Sequence, residues 1–135
     1  MNVLVIDGQG GGIGKQLVSA IKMTVPNAII TAIGTNSSAT ATMLKAGADY
    51  AATGENAIVF GCRNAEIIVG PVGIVIADSL LGEITPVMAT AIAQSNAKRV
   101  LIPVNQCGNI IAGVPDLSIV KLIQNAVEKI YNLAN

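Results

Sequence analysis

Histidine and tryptophan are absent from the 135 residues, phenylalanine occurs once, tyrosine twice, and cysteine only at Cys62 and Cys107. Without imidazole there is no Ser-His-Asp or Cys-His triad, no imidazole general base and no His-ligated metal site, so no metal centre is expected. The two cysteines lie too far apart for a C-x-x-C motif. So small a number suits a reducing cytoplasm and gives no disulfide framework. Charge is scarce as well: eight Lys+Arg face eight Asp+Glu, and charged residues make up 12% of the chain, about half the roughly 25% of an ordinary soluble domain. A net charge of +0 offers no excess of cations to a phosphate backbone, which argues against a nucleic-acid partner.

Long apolar runs are also missing, although 52% of the residues are hydrophobic. No charge falls between Lys22 and Lys45, but Pro26, Asn27, Gly34, Asn36, Ser37 and several threonines interrupt that stretch. It therefore falls short of the run of about 20 apolar residues that spans a membrane. The N-terminal stretch enters directly as a strand, with no basic region or small-residue cleavage site, so an unexported, cytoplasmic protein is expected.

What is present is an alternation of short β-branched runs with helical patterns. Asn2 to Ile6, Ala28 to Ile33, Ala51–Ala52, Glu66 to Val69 and Arg99 to Pro103 read as strands, and Asn109 to Val114 as a sixth. Between them, Ile13, Leu17, Val18 and Ile21 recur at helical spacing ahead of Pro26. Ser37 or Ser38 can cap a helix ending at Gly47, and Thr53 opens a short helix with Glu55 near its positive end. Thr85–Pro86 has the N-cap and first-turn proline of a helix running to about Ser95, and a terminal helix covers residues 117–133. Residues 72–81 fit helix and extended chain equally. Apolar rather than alternating strands imply a sheet buried on both faces. The expectation is an α/β fold: one Rossmann-like domain over residues 1–135, its mostly parallel sheet of five or six strands covered by helices on both faces. The ligand crevice of such a fold lies at the carboxyl ends of the strands.

The first of those ends carries the densest signal. Asp7-Gly8-Gln9-Gly10-Gly11-Gly12-Ile13-Gly14-Lys15 joins strand to helix with five glycines in seven positions, where a plain turn needs one or two. Main-chain N–H groups at a helix N-terminus form a ready phosphate site. A Walker A loop would need glycine at Gln9 and a hydroxyl at Gln16, and G-x-G-x-x-G read from Gly8 fails at Ile13. G-x-x-x-G-x-G, on Gly8, Gly12 and Gly14, fits.

This loop resembles that of short-chain dehydrogenases/reductases over the first quarter of the chain, with Asp7 in place of their threonine. Their Tyr-x-x-x-Lys is missing, because Gly54 follows Tyr50 at that spacing and Asn135 follows Tyr131; Gly70-Pro71-Val72-Gly73 replaces their Asn-Ala-Gly. Their catalytic machinery does not carry over. Over nearly its whole length the chain looks like a small uncharacterised bacterial family of short Rossmann-like proteins, through residues 6–15, Thr53-Gly-Glu-Asn-Ala57 and Leu81-Gly-Glu-Ile-Thr-Pro86. That resemblance implies a fold and no activity.

Dinucleotide folds usually place Asp or Glu about 20 residues beyond the loop to hold a ribose; here Gly34-Thr35-Asn36 stands there, weak ribose partners or simply turn and cap residues. The expected ligand-binding residues are Asp7, Gly8, Gln9, Gly10, Gly11, Gly12, Ile13, Gly14, Thr35 and Asn36, with Glu55, Asn56 and Asn105 as substrate contacts. The cofactor is NAD or NADP, or else another phosphorylated small molecule. Asp7 would repel a phosphate unless Lys15 or a divalent cation neutralised it; alternatively it accepts N–H bonds from its own turn. A small oxidoreductase or isomerase using Asp78, Glu83 or Glu55 is the competing reading, since Cys107 has no histidine to activate it and Cys62 reads as a small hydrophobe. A third is a non-catalytic oligomer. The low surface charge points to a homodimer through residues 86–95, with Val87, Met88, Ala91 and Ile92 on the helix and small Ala89 and Ala93 admitting a neighbour.

Overall fold

In the computed structural model, which describes residues 1–104 and 108–135, strands and helices alternate. The strands are β1 (Asn2–Asp7), β2 (Ile29–Gly34), β3 (Tyr50–Thr53), β4 (Ile67–Pro71) and β5 (Lys98–Ile102). The helices are α1 (Gly12–Thr24), α2 (Ser37–Lys45), α3 (Glu55–Gly61), α4 (Pro86–Gln94) and α5 (Ile119–Ala134). All strand pairings are parallel and the order is β3-β2-β1-β4-β5.

The unbroken apolar character of β1 has a direct cause. Val3 and Val5 point into a core shared with α1, α2 and α5, while Leu4 and Ile6 point into a second core beneath α3 and α4. A strand buried on both faces cannot alternate with polar residues. Register also decides the site: Asp7 stands beside Gly34, so the glycine loop and the chain after β2 leave the sheet side by side.

Helix boundaries follow local chemistry. Asn36 caps α2, its Oδ1 accepting the Ala39 N–H at 2.9 Å, so the cap lies one residue before the expected Ser37 or Ser38. Thr85 caps α4 by accepting the Met88 N–H at 3.1 Å, with Pro86 in the first turn. Ser118 caps α5. At the end of α1, Lys22 pairs with Asp49 at 2.6 Å. Of the residues expected to make a dimer contact, Met88, Ala89 and Ile92 are buried in the protomer's own core. Val87 and Ala93 remain exposed. Among the described residues no helix is long and apolar enough to cross a membrane.

One expected element does not form. Asn109 to Val114 makes no strand, and Ile110 in its middle is 97% exposed. Gly108 and Gly113 sit at φ 84° and 76°, a conformation that breaks an extended run, and among the described residues no strand pairs with the outer side of β5. The ambiguous residues after β4 form a 3-10 turn at Val72–Val75 with Ile74 fully buried. A tight strap follows to Thr85, with Asp78, Leu80 and Leu81 at positive φ. Ser79 holds it through a hydroxyl bond to the Gly73 carbonyl, and Leu80 and Ile84 anchor it in the second core.

Candidate phosphate-binding site

The glycine loop turns from β1 into α1 around the Asp7 carboxylate. Oδ1 accepts the Gly8 N–H at 2.8 Å and Oδ2 accepts the Gly14 N–H at 2.7 Å. Asp7 is thus an internal clamp for its own turn, 5% exposed. Burial pushes its carboxyl above the ordinary range; the Gly14 and Gly8 N–H groups oppose that, and the charge of Glu83 adds to it. Lys15 is exposed, and the one ion pair among the described residues joins Lys22 to Asp49, so Lys15 does not neutralise Asp7.

The five loop glycines fall into two groups. A Cβ on Gly14 would meet the Met43 sulfur and, at 2.9 Å, the Asp7 Cβ; one on Gly8 would lie 2.8 Å from the Thr35 hydroxyl and 2.9 Å from Leu80. Gly11 has φ +75° and would place its Cβ 2.9 Å from the Ala39 Cα. These three are demanded by the protein's own packing. Gly10 and Gly12 are exposed, and an added Cβ would meet nothing within 4 Å. Neither N–H is engaged by the described residues, whereas the Gly8, Gln9, Gly11 and Gly14 N–H groups all are.

Gly10 and Gly12 line a cleft of about 120 Å³ formed by residues 7–13 with Pro71, Leu80 and Val104. A water's share of liquid volume is about 30 Å³, so the cleft admits a group of a few heavy atoms. The first turn of α1 carries no acidic residue of its own, and the Asp7 carboxylate, through the Gly14 N–H, offsets part of the positive end of the helix dipole.

Thr35 and Asn36 stand beside this loop, as expected, but their polar groups turn toward a residue that sequence spacing did not connect to them. The Glu83 Oε1 accepts from the Gln9 N–H at 2.8 Å, the Thr35 hydroxyl at 2.6 Å and the Asn36 amide at 2.8 Å. The same Asn36 amide also donates to the Gln9 carbonyl at 3.0 Å. Desolvation raises the Glu83 carboxyl, but the hydrogen bonds from Thr35, Gln9 and Asn36 together outweigh it and hold the group below its ordinary range. Glu83 was legible in the sequence only as a candidate acid; its bonds to Gln9, Thr35 and Asn36 join segments 47 to 74 residues apart and leave no local signal.

The other expected contacts lie elsewhere. Glu55 accepts the Thr85 hydroxyl at 2.6 Å, tying α3 to α4, and Asp78 is exposed on the strap. Asn56 lines a separate cavity of about 600 Å³ over β2 and β3, walled by Tyr50 and Phe60. Asn105 and Cys107 lie outside the described residues. Burial pushes the Cys62 thiol up to about 11, against the opposing charge of Arg99, so it packs as a neutral hydrophobe. No group of three His, Cys, Asp or Glu side chains placed to hold a metal occurs among the described residues.

No match is found among curated proteins. Among solved structures, the chain is similar to a dodecameric FMN-dependent UbiX-like decarboxylase from Escherichia coli O157:H7, at 14% identity and a TM-score of 0.46, covering 98% of this chain and 93% of that one. Residues 2–135 match the family described as a domain of unknown function, DUF3842, and the chain belongs to that family.

Proposed function

We propose that this protein is a cytoplasmic nucleotide-binding module that holds a phosphate group of its ligand on the N–H groups of Gly10 and Gly12, at the N-terminus of α1. The observation that carries this reading is the pair of glycines themselves: both face the cleft, both have unengaged N–H groups, and neither is required by packing. A glycine whose backbone an alanine could adopt costs extra chain entropy on folding. Close approach of a ligand to the backbone is the physical reason for keeping it.

The cleft sets the scale of what it takes. At about 120 Å³ it suits a phosphate or part of a pyrophosphate, well below the roughly 300 Å³ that encloses a drug-sized ligand. NAD or NADP would therefore seat its pyrophosphate here and extend past Gln9 along the strand ends; a mononucleotide is the smaller alternative. The protein is also proposed to self-associate, on the support of its low charge and of exposed Tyr50 and Phe60, which line one cleft.

Isothermal titration with NAD, NADP, AMP, ATP and FMN tests the reading, with Gly12→Val as the control. At least one ligand is expected to bind, and the valine, whose Cβ has no protein atom within 4 Å and whose methyls intrude on the cleft, should abolish it without unfolding the chain. Silence for all five at millimolar concentration overturns the proposal, as does full affinity in the folded valine variant.

A further inference from the structure

The end of β2 lacks the acidic residue with which dinucleotide folds usually hold a ribose, yet a carboxylate stands there all the same. It arrives from the strap between β4 and α4, 48 residues beyond Thr35, and is fixed by three donors: one from the glycine loop and two from the residues that follow β2. All three reach Oε1, and Oε2 has no partner among the described residues. The strap that carries it is not a loose cover. Leu80 and Ile84 are buried, and the Asp78 N–H donates to the Ile84 carbonyl at 2.7 Å while the Ile84 N–H returns to the Ser79 carbonyl at 3.2 Å. Glu83 is therefore preorganised beside the glycine loop, with lone pairs to spare and a negative charge that three hydrogen bonds sustain.

We propose that Glu83 selects the sugar of the bound nucleotide, accepting from a ribose that carries free hydroxyls and repelling one that carries a 2′-phosphate. This rests on the phosphate reading of Gly10 and Gly12 and adds to it the class of ligand: a ribonucleotide of the AMP, ADP or NAD type, not the NADP type. The chemistry is that of opposite demands placed side by side. Unengaged N–H groups at a helix N-terminus favour an anion, and a short way along the same loop, at Gln9, a fixed carboxylate penalises a second one. Thr35 and Asn36 then act as positioning residues, because their donors are spent on Glu83.

Isothermal titration of paired ligands tests this: NAD against NADP, AMP against adenosine 2′,5′-bisphosphate, and AMP against 2′-deoxy-AMP. The wild-type chain is expected to prefer the first of each pair by at least about tenfold. Glu83→Gln, which keeps an oxygen for the same three donors and removes the charge, should bring NAD and NADP within about threefold of each other. Glu83→Asp keeps the charge and should retain the rejection of NADP, and it serves if the glutamine variant fails to fold. Equal wild-type affinity for NAD and NADP, or a preference unchanged in folded Glu83→Gln, overturns the assignment of Glu83 and leaves the phosphate site standing. Absence of binding by every ligand, in a wild-type chain folded by circular dichroism, overturns both.

Discussion

Gly8, Gly11 and Gly14 look like Gly10 and Gly12 in sequence, but they differ in what surrounds them. The first three press against Thr35, Leu80, Ala39, Met43 and Asp7, where any side chain collides with something already in place. The other two open onto a cleft. A glycine-rich loop is thus two superposed designs: one set of positions lets the β1–α1 turn close down on its neighbours, and the other keeps backbone N–H groups reachable from outside. Only the second set is open to the proposed ligand.

Substitutions separate the two sets, and the greatest effect belongs to Gly11. Gly11→Ala imposes a left-handed conformation, costing about 1–2 kcal/mol, and crowds the Ala39 backbone, which cannot swing aside. A loss of about 3 kcal/mol in urea unfolding is expected. Gly14→Ala, against Met43 and the Asp7 Cβ, should cost about 1–3 kcal/mol and loosen the clamp on Asp7. If either variant is as stable as the wild type, the packing half of the comparison fails. Gly12→Ala should do the reverse, raising stability by about 0.4–1 kcal/mol while weakening the proposed nucleotide binding. Melting temperature and titration on the same sample read both signs, and a destabilised Gly12→Ala would merge the two sets into one.

The smallest effect is in acid. Glu83 has its carboxyl lowered from an ordinary 4.5, so its contribution is fully present above that value and is lost as pH falls through the lower folded value. Asp7 has the opposite sign: its raised carboxyl costs stability when ionised, and that cost is relieved as pH falls toward 3.8. Glu83→Gln should therefore make stability fall less steeply below about pH 4.5, leaving the contribution of Asp49, which the Ile30 N–H and Lys22 hold low. Urea midpoints measured across the acid range give the slope, and identical slopes in variant and wild type would remove Glu83 from the loop's electrostatics.

Much of the architecture was legible because it rests on local rules. The apolar run of β1, the Thr85–Pro86 start of α4 and the 3.6-residue rhythm of α1 each need only their own neighbours to be read. The failures share a cause. Asn109 to Val114 has the composition of a strand, but Gly108 and Gly113 take positive φ at its two ends, and composition carries no word of that. Residues 72–84 combine strand-forming isoleucine and valine with left-handed turns at Asp78, Leu80 and Leu81, which no propensity anticipates. The site was half legible for the same reason: the glycine loop lies within nine residues of chain, whereas its link to Glu83 spans 74 positions from Gln9.

Among the described residues the sheet stops at five strands, and this decides how it ends. With β3 at one border and β5 at the other, two rows of backbone donors and acceptors lie open to pairing with a foreign strand, the usual route to edge-to-edge aggregation. The chain guards them differently. β3 is only four residues long, too short to template much of anything, and β5 opens on Lys98 and Arg99. The Arg99 guanidinium is itself tethered, its Nη1 donating to the Ser95 carbonyl at 2.7 Å and the Ala97 carbonyl at 3.2 Å. In a protein with eight cations, placing two consecutively at the border strand is a large share, and neutralising a charge there is expected to favour edge-to-edge association.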